Sequence, residues 1–366
     1  MSEVVKNARR IVFKIGSSTL MSDQGGFDGG VIHQLVALWS DLHQDGKDII
    51  LVSSGAIGLG WGDLGLQKKP QAIPEKQASA AVGQSKLMTM YDTFFSPCGI
   101  GVGQILLTRD DIADRRRYLN ARNTLNILIQ DRIVPIINEN DSVAFDEIKF
   151  GENDTLSAMV GGLIDADLVV LLSDIAGLYT DDPRHNPQAT LIKEVHEINE
   201  EIKSIAGGVG TELGSGGMRS KVDAAKIAGD SGIPLLITDG KDVEQLRNIF
   251  RGDDWCTIFY PHKHGFRHKD RWLAHGSSVE GGVIADDGAI AALRKGKSLL
   301  PVGIVEVKGR FGCGDVIAVL DKRGREIARG IANYEAKEAA AVVGKKCSAD
   351  NDIYELIHCD NLVIKD

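Results

Sequence analysis

The chain has 366 residues, 43% of them apolar and 25% charged, and a mean hydropathy of -0.08; these figures fit a globular protein of two or three domains and exclude disorder and collagen-like order. A net charge of -9 gives no global electrostatic footprint for nucleic acid. No run approaches the roughly 18 apolar residues of a membrane span, and the N-terminal stretch lacks a small-residue cleavage site, so a cytoplasmic protein is expected.

From Arg10 to about Tyr260, short β-branched runs alternate with longer amphipathic ones, the pattern of βαβ units around a mostly parallel, doubly covered sheet. The expected strands are Ile11–Ile15, Asp48–Val52, Gly101–Leu107, Ile133–Ile137, Asp167–Leu172, Ile233–Ile237 and Trp255–Tyr260. Ile32, Leu35, Val36, Trp39 and Leu42 recur at spacings of three and four and so mark a helix with one apolar face. Further helices are expected over Ala78–Phe95, Asn120–Gln130, Asp154–Ile164 and Met218–Asp230. Beyond His275 the texture changes to short strands, Ile304–Lys308, Asp315–Leu320 and Glu326–Ile331, the last two joined by the turn Asp321–Arg325. The expected division is therefore 1–261, a linker at 262–278, and a smaller β-rich domain at 279–366. The five cysteines, at 98, 256, 313, 347 and 359, are widely spaced without a C-x-x-C pair and read as separate reduced thiols.

Polar and glycine-rich clusters fall just after the strands of the first domain, where open α/β sheets bind ligands. Lys14 ends the first strand and is followed by Gly16, Ser17 and Ser18; a surface lysine beside a loop is the plain alternative. Ser53, Ser54, Gly55 and Ala56 form a small-residue turn into a helix, suited to holding an anion or simply to close strand–helix packing. Asn138, Glu139, Asn140, Asp141 and Ser142, with Glu152, Asn153 and Asp154 soon after, bring together more carboxylates and amides than helix capping needs. A polar-substrate site explains that density, with a metal cage as the alternative. Ser173 and Asp174 follow another apolar strand, and Gly210–Lys221 is a glycine-rich loop feeding a helix, with Lys221 in its first turn. Two lysines at strand-to-helix loops fit phosphoryl transfer, which rests on positioning and charge neutralisation. Gly296-Lys297-Ser298 mimics the end of a Walker A loop, but Ala291 replaces the first glycine and a helical run precedes it. His262, His264 and His268 are interleaved with Lys and Arg, which reads as a solvated linker rather than a zinc site.

Taken in order, VFKIGSSTL (12–20), VSSGAIGLG (52–60), LLTRDD with RxxxLNAR (106–122), PIINENDSV (135–143), FGENDTLSA (150–158), LLSDIAGLYTDDPRHNP (171–187) and GSGGMRSK (214–221) resemble the amino acid kinase family, in its glutamate-phosphorylating branch. The tail, from GGVIADDGAIAALRKGKSLLPVGI through FGCGDVIAV to IARGIANY, resembles a PUA domain. The resemblance implies a three-layer αβα sandwich on a mainly parallel sheet, followed by a small β-rich PUA-like domain. It implies ATP-dependent phosphorylation of the γ-carboxylate of L-glutamate, the first step of proline synthesis. Lys14 and Lys221 would act on the phosphoryl group, and Asp154 would orient them. Ser54, Gly55, Ala56, Asn138, Asp141 and Asn153 would hold glutamate. Lys14, Ser173, Asp174, Ser215, Gly216, Gly217, Met218, Arg219, Ser220 and Lys221 would hold the nucleotide. Mg²⁺ arriving with ATP, inhibition by proline, transfer of the labile product to γ-glutamyl phosphate reductase and homo-oligomerisation are also implied. The rivals are another kinase of this fold, acting on acetylglutamate or aspartate, a catalytically dead regulator, and an RNA-binding PUA protein. For the last, residues 279–366 carry 13 Lys plus Arg against 14 Asp plus Glu, a poor surface for a phosphate backbone.

Overall fold

The computed structural model describes residues 1–22, 26–143, 153–207, 217–261, 279, 281–345 and 354–365. Two compact units are present, one holding residues 1–111 and 118–265, the other 112–117 and 266–366. The expected linker at 262–278, with its histidines, lies outside the described residues.

Eight strands form the sheet of the first unit: β1 (Arg10–Ile15), β2 (Asp48–Ser53), β3 (Val102–Leu107), β4 (Val134–Glu139), β5 (Leu168–Ser173), β6 (Glu194–Val195), β7 (Leu235–Asp239) and β8 (Thr257–Phe259). Their order is β3-β4-β2-β1-β5-β7-β8-β6, parallel throughout except where β8 runs against β7. The central strands are apolar runs because both faces are covered; β4 and β5 are buried along their whole length. Ile11, Phe13 and Ile15 join a core with Leu35, Trp39, Leu87, Tyr91 and Leu246, from the helices Gly29–Gln44, Ile73–Phe95 and Val243–Arg251. Strand alternation turns Lys14 to the opposite face, where the helix Asn153–Leu163 packs on β1 and the helix Met218–Asp230 packs on it in turn. Both helices bury small residues, Ala158 and Gly162 on the first and Ala224, Ala225 and Ala228 on the second.

The expected strands and helices are present with shifts of a few residues at their ends. The largest shifts, of five residues, are at the starts of Ile73–Phe95, expected from Ala78, and Arg115–Gln130, expected from Asn120; in the first, Pro74 sits within the first turn, where the missing N–H costs nothing. Additions include strand β6, the strands Gly281–Ala285 and Leu362–Ile364, and the helices Glu200–Ala206 and Val243–Arg251; β6 is too short for an alternation to show. Among the described residues no helix is long and apolar enough to cross a membrane.

The second unit is a five-stranded sheet, β9 (Gly281–Ala285), β10 (Ile304–Gly309), β11 (Val316–Leu320), β12 (Glu326–Ile331) and β13 (Leu362–Ile364), in the order β10-β9-β11-β12-β13. It has its own core, including Val283, Leu293, Ile317, Val319, Ala328 and Ile357. Asp321 pins the expected hairpin turn by accepting from the Arg323 and Arg325 amides and from Arg325 Nε. Gly296, at φ +72°, follows the end of the helix Asp287–Leu293 and its N–H donates to Leu293 O, so the glycine of the Walker-like string stops a helix.

Candidate active site

Strand β1 sits between β2 and β5, so the chain leaves it first toward one edge of the sheet and later toward the other. At such a switch point the loops beyond the C-terminal strand ends diverge and leave a crevice. Lys14 on β1, Ser53 on β2, Asn138 on β4 and Ser173 on β5 all lie at this end.

The centre is one carboxylate shared by two ammonium groups. Asp154, in the first turn of its helix and fully buried, lies 2.6 Å from Lys14 Nζ through Oδ1 and 3.3 Å from Lys221 Nζ through Oδ2. Ser220 Oγ donates to the same Oδ2 at 2.8 Å and thereby ties the start of the Met218–Asp230 helix to Asp154. Burial works against a charged carboxylate here, but the charges of Lys14 and Lys221 and the hydrogen bonds from Lys14 and Ser220 outweigh it, holding the Asp154 carboxyl below its ordinary range. Both lysines are buried, and the trio keeps an excess of one positive charge where an anion could enter.

Beside it lies an amide cluster. Asn153 Nδ2 donates to Ser53 O at 3.1 Å, Ser54 Oγ at 2.9 Å and Asn138 Oδ1 at 3.0 Å. Asn138 Oδ1 also accepts the Glu139 N–H, while Asn138 Nδ2 donates to Gln84 Oε1 at 3.1 Å. Asn138 is therefore engaged at both ends of its amide and buried. Ser53 Oγ pairs with the phenol of Tyr91 at 2.8 Å, and burial raises that phenol's pKa above its ordinary value. Gly55 follows with φ +104°, a left-handed conformation that a side chain would strain, and Ala56 opens the helix Ala56–Gly60. Asp141, half-buried, lies in the turn after Asn140, whose N–H reaches Leu107 O.

On the other side of β1, Ser173 is buried and donates to Asp174 Oδ1 at 3.1 Å, and Asp174 lies exposed with Arg184 Nη1 3.8 Å away. Gly217, Met218 and Arg219 lead into the helix carrying Lys221. Ser215 and Gly216 lie outside the described residues, as does the stretch 144–152. The fold thus brings Lys14, Asp154, Ser220 and Lys221 into contact, and joins Ser54, Asn138 and Asn153 in a second group continuous with the first through adjacent Asn153 and Asp154.

Gln84 and Tyr91 are absent from the sequence-derived candidates. Their signal lies in the helix pattern: Ala80, Gly83, Gln84, Leu87 and Tyr91 are all buried at spacings of one helix face, and a glutamine on such a stripe needs a buried polar partner.

Residues 9–239 match the amino acid kinase family and residues 281–352 the PUA domain. The chain is 48% identical to a glutamate 5-kinase of Carboxydothermus hydrogenoformans, covering 100% of both chains. It is 45% identical to one of Moorella thermoacetica, covering 98% of this chain and 97% of that one. Among solved structures, carbamate kinase from Giardia lamblia bound to AMP-PNP is 15% identical with a TM-score of 0.50, over 70% of this chain and 100% of that one, a likeness of fold. With whole-length relatives at this identity and a fold whose lysines and carboxylate meet at the sheet's switch point, the chain belongs to the amino acid kinase family, in its glutamate 5-kinase branch, and carries a PUA domain after the kinase domain.

Proposed function

We propose that this protein transfers the γ-phosphoryl group of ATP to the γ-carboxylate of L-glutamate, forming γ-glutamyl phosphate and ADP. The observation that carries the reading is Asp154 held between Lys14 and Lys221 with the Asn153 cluster next to it in the chain. Glutamate's γ-carboxylate, with an ordinary pKa of about 4.3, is an ionised nucleophile near pH 7 and needs no general base. A carboxylate oxygen bonds to the γ-phosphorus as the bridging bond to ADP breaks. The obstacle is bringing one anion to another, and two lysines offset it as charge spreads over the phosphoryl oxygens. Asp154 holds both ammonium groups at one place.

Ser54, Gly55, Ala56, Asp141 and Asn153 surround glutamate in this reading, with Asn138 bracing Asn153; Ser173, Asp174 and the segment 215–221 serve ATP. Mg²⁺ would arrive with ATP, held largely by its phosphates and by water. When bound, that ion neutralises phosphate charge. The kinase domain would span 1–261 and the PUA domain 279–366, in a cytoplasmic homo-oligomer. Proline, sharing the α-carboxylate and a cationic amine with glutamate, would occupy the same pocket as an inhibitor. The acyl phosphate is labile in water and would pass to γ-glutamyl phosphate reductase.

Hydroxylamine trapping of acyl phosphate with L-glutamate, N-acetylglutamate and aspartate as separate acceptors tests the reading. Hydroxamate from glutamate is expected; hydroxamate only from either of the others would replace it.

A further inference from the structure

We propose that Gln84 is a positioning residue that fixes the polarity of the acceptor pocket, so that Asn153 meets the ligand with its carbonyl oxygen and Ser54 with its hydroxyl proton. The inference rests on the glutamate reading above and deepens it by assigning the pocket's recognition of an α-ammonium.

An amide side chain is nearly symmetrical in shape and opposite in hydrogen-bonding sense at its two ends, so a pocket built from asparagines can present either sense. Here two main-chain groups reveal which sense each amide takes. The Ser53 carbonyl can only accept, so the end of Asn153 that faces it is Nδ2, at 3.1 Å. The Glu139 N–H can only donate, so the end of Asn138 that faces it is Oδ1, at 2.9 Å. Asn153 Nδ2 then has three acceptors for two protons and is fully committed, while its Oδ1 has no partner among the described residues. Ser54 Oγ already accepts from Asn153, which leaves its proton to donate.

The arrangement holds only if the far end of Asn138 finds an acceptor, because that residue is buried. Gln84 Oε1 supplies it at 3.1 Å, and Gln84 Nε2 donates onward to Oε1 of exposed Gln104 at 3.3 Å. The donors run head to tail from Asn153 through Asn138 and Gln84 to the outer strand β3, and each bond polarises the next. None of these side chains hydrogen-bonds to Lys14, Asp154 or Lys221 in that chain of contacts, so disturbing Gln84 should affect acceptor binding and spare the transfer step.

The test compares Gln84→Met, which fills the space but offers no acceptor, with Gln84→Glu, which still accepts from Asn138 while Gln104 turns its amide to donate. Gln84→Met should raise the glutamate KM about tenfold with kcat and the ATP KM within about threefold, the mark of lost ground-state binding. Preference for L-glutamate over glutarate, which lacks the α-amine, should fall about tenfold, and Gln84→Glu should restore both to within about threefold. If Gln84→Met does not fold, Gln84→Ala, the better helix former, carries the same expectation. An unchanged glutamate KM, equal impairment of the Met and Glu variants, or an unaltered glutarate preference would overturn the inference. Wild-type protein that makes no acyl phosphate from glutamate would instead overturn the functional reading beneath it.

Discussion

A Cβ on Gly83 would stand 1.7 Å from the carbonyl oxygen of Ala56, so the helix Ile73–Phe95 touches the Ala56–Gly60 helix backbone to backbone. From the other side, a Cβ on Gly60 would lie 1.9 Å from Ser79 O. The crossing sets where Ser54, Gly55 and Ala56 stand relative to Lys14. Gly83→Ala should therefore lower stability by about 1–3 kcal/mol, the usual cost of overpacking, and raise the glutamate KM more than the ATP KM. Denaturant midpoints and paired KM values check this; native values of both would show that the crossing has slack.

Lys14→Ala and Lys221→Ala should each reduce kcat by about a hundredfold or more, the scale for removing one donor aimed at transition-state charge. Asp154→Asn should also lose kcat heavily, yet keep the shape of the kcat–pH profile, because the carboxylate orients ammonium groups and takes no proton. Initial rates from pH 6 to 9 decide. A vanished general-base limb in the Asn variant would give Asp154 a different role.

The lowered carboxyl of Asp154 also predicts an acid dependence of stability. Because its folded pKa lies below the unfolded value of about 3.9, the charged form is favoured by folding. Its contribution is complete above that unfolded value and is lost as pH falls through the lowered folded one. Thermal unfolding between pH 7 and pH 2.5 should therefore show a steeper acid decline for wild type than for Asp154→Asn. At neutral pH the variant should be the less stable by about 3–5 kcal/mol, since two buried ammonium groups lose their counter-charge. Parallel acid curves would contradict the ion-pair account.

Asp141, half-buried in the turn after Asn140, carries a charge suited to an α-ammonium. Asp141→Asn should raise the glutamate KM and the proline inhibition constant together. Proline inhibition measured at several glutamate concentrations in both proteins is the check; proline sensitivity kept while glutamate binding collapses would place proline elsewhere.

The apolar side chains of the two units form separate cores, one around Phe13, Trp39 and Leu172, the other around Ile317, Val319 and Ile357. Truncation after about residue 275 should accordingly leave a folded kinase domain that retains glutamate phosphorylation. Aggregation from several neighbouring end points would argue for a shared core.

Much of this was legible because parallel strands buried on both faces read as continuous apolar runs, and polar residues at their ends then stand out. Lys14, Asn138 and Ser173 are conspicuous for that reason, and Lys221 for sitting among alanines at a helix start. The amide chain was not legible. Gln84 and Gln104 are ordinary in their own segments, and only the pairing of β3 with β4 places Gln104 opposite Ile136, beside the buried Asn138 network. Likewise, Gly60 and Gly83 are unremarkable until two helices cross there. The sense in which Asn153 points is read at the Ser53 carbonyl and held through Asn138 by Gln84, partners that lie far apart in the sequence.

The partners at the centre come from remote parts of the chain: Asn153 is 100 residues from Ser53, and Lys221 is 67 residues from Asp154. Bonds of such span close only after the intervening strands have ordered, since loop entropy must be overcome before they can form. On the ribosome, a chain that has emerged through β5 already owns Lys14 and Asp154 but has no second ammonium group until the Met218–Asp230 helix follows. The buried trio of Lys14, Asp154 and Lys221 is thus completed only late in the synthesis of the first unit, when the Met218–Asp230 helix has been added.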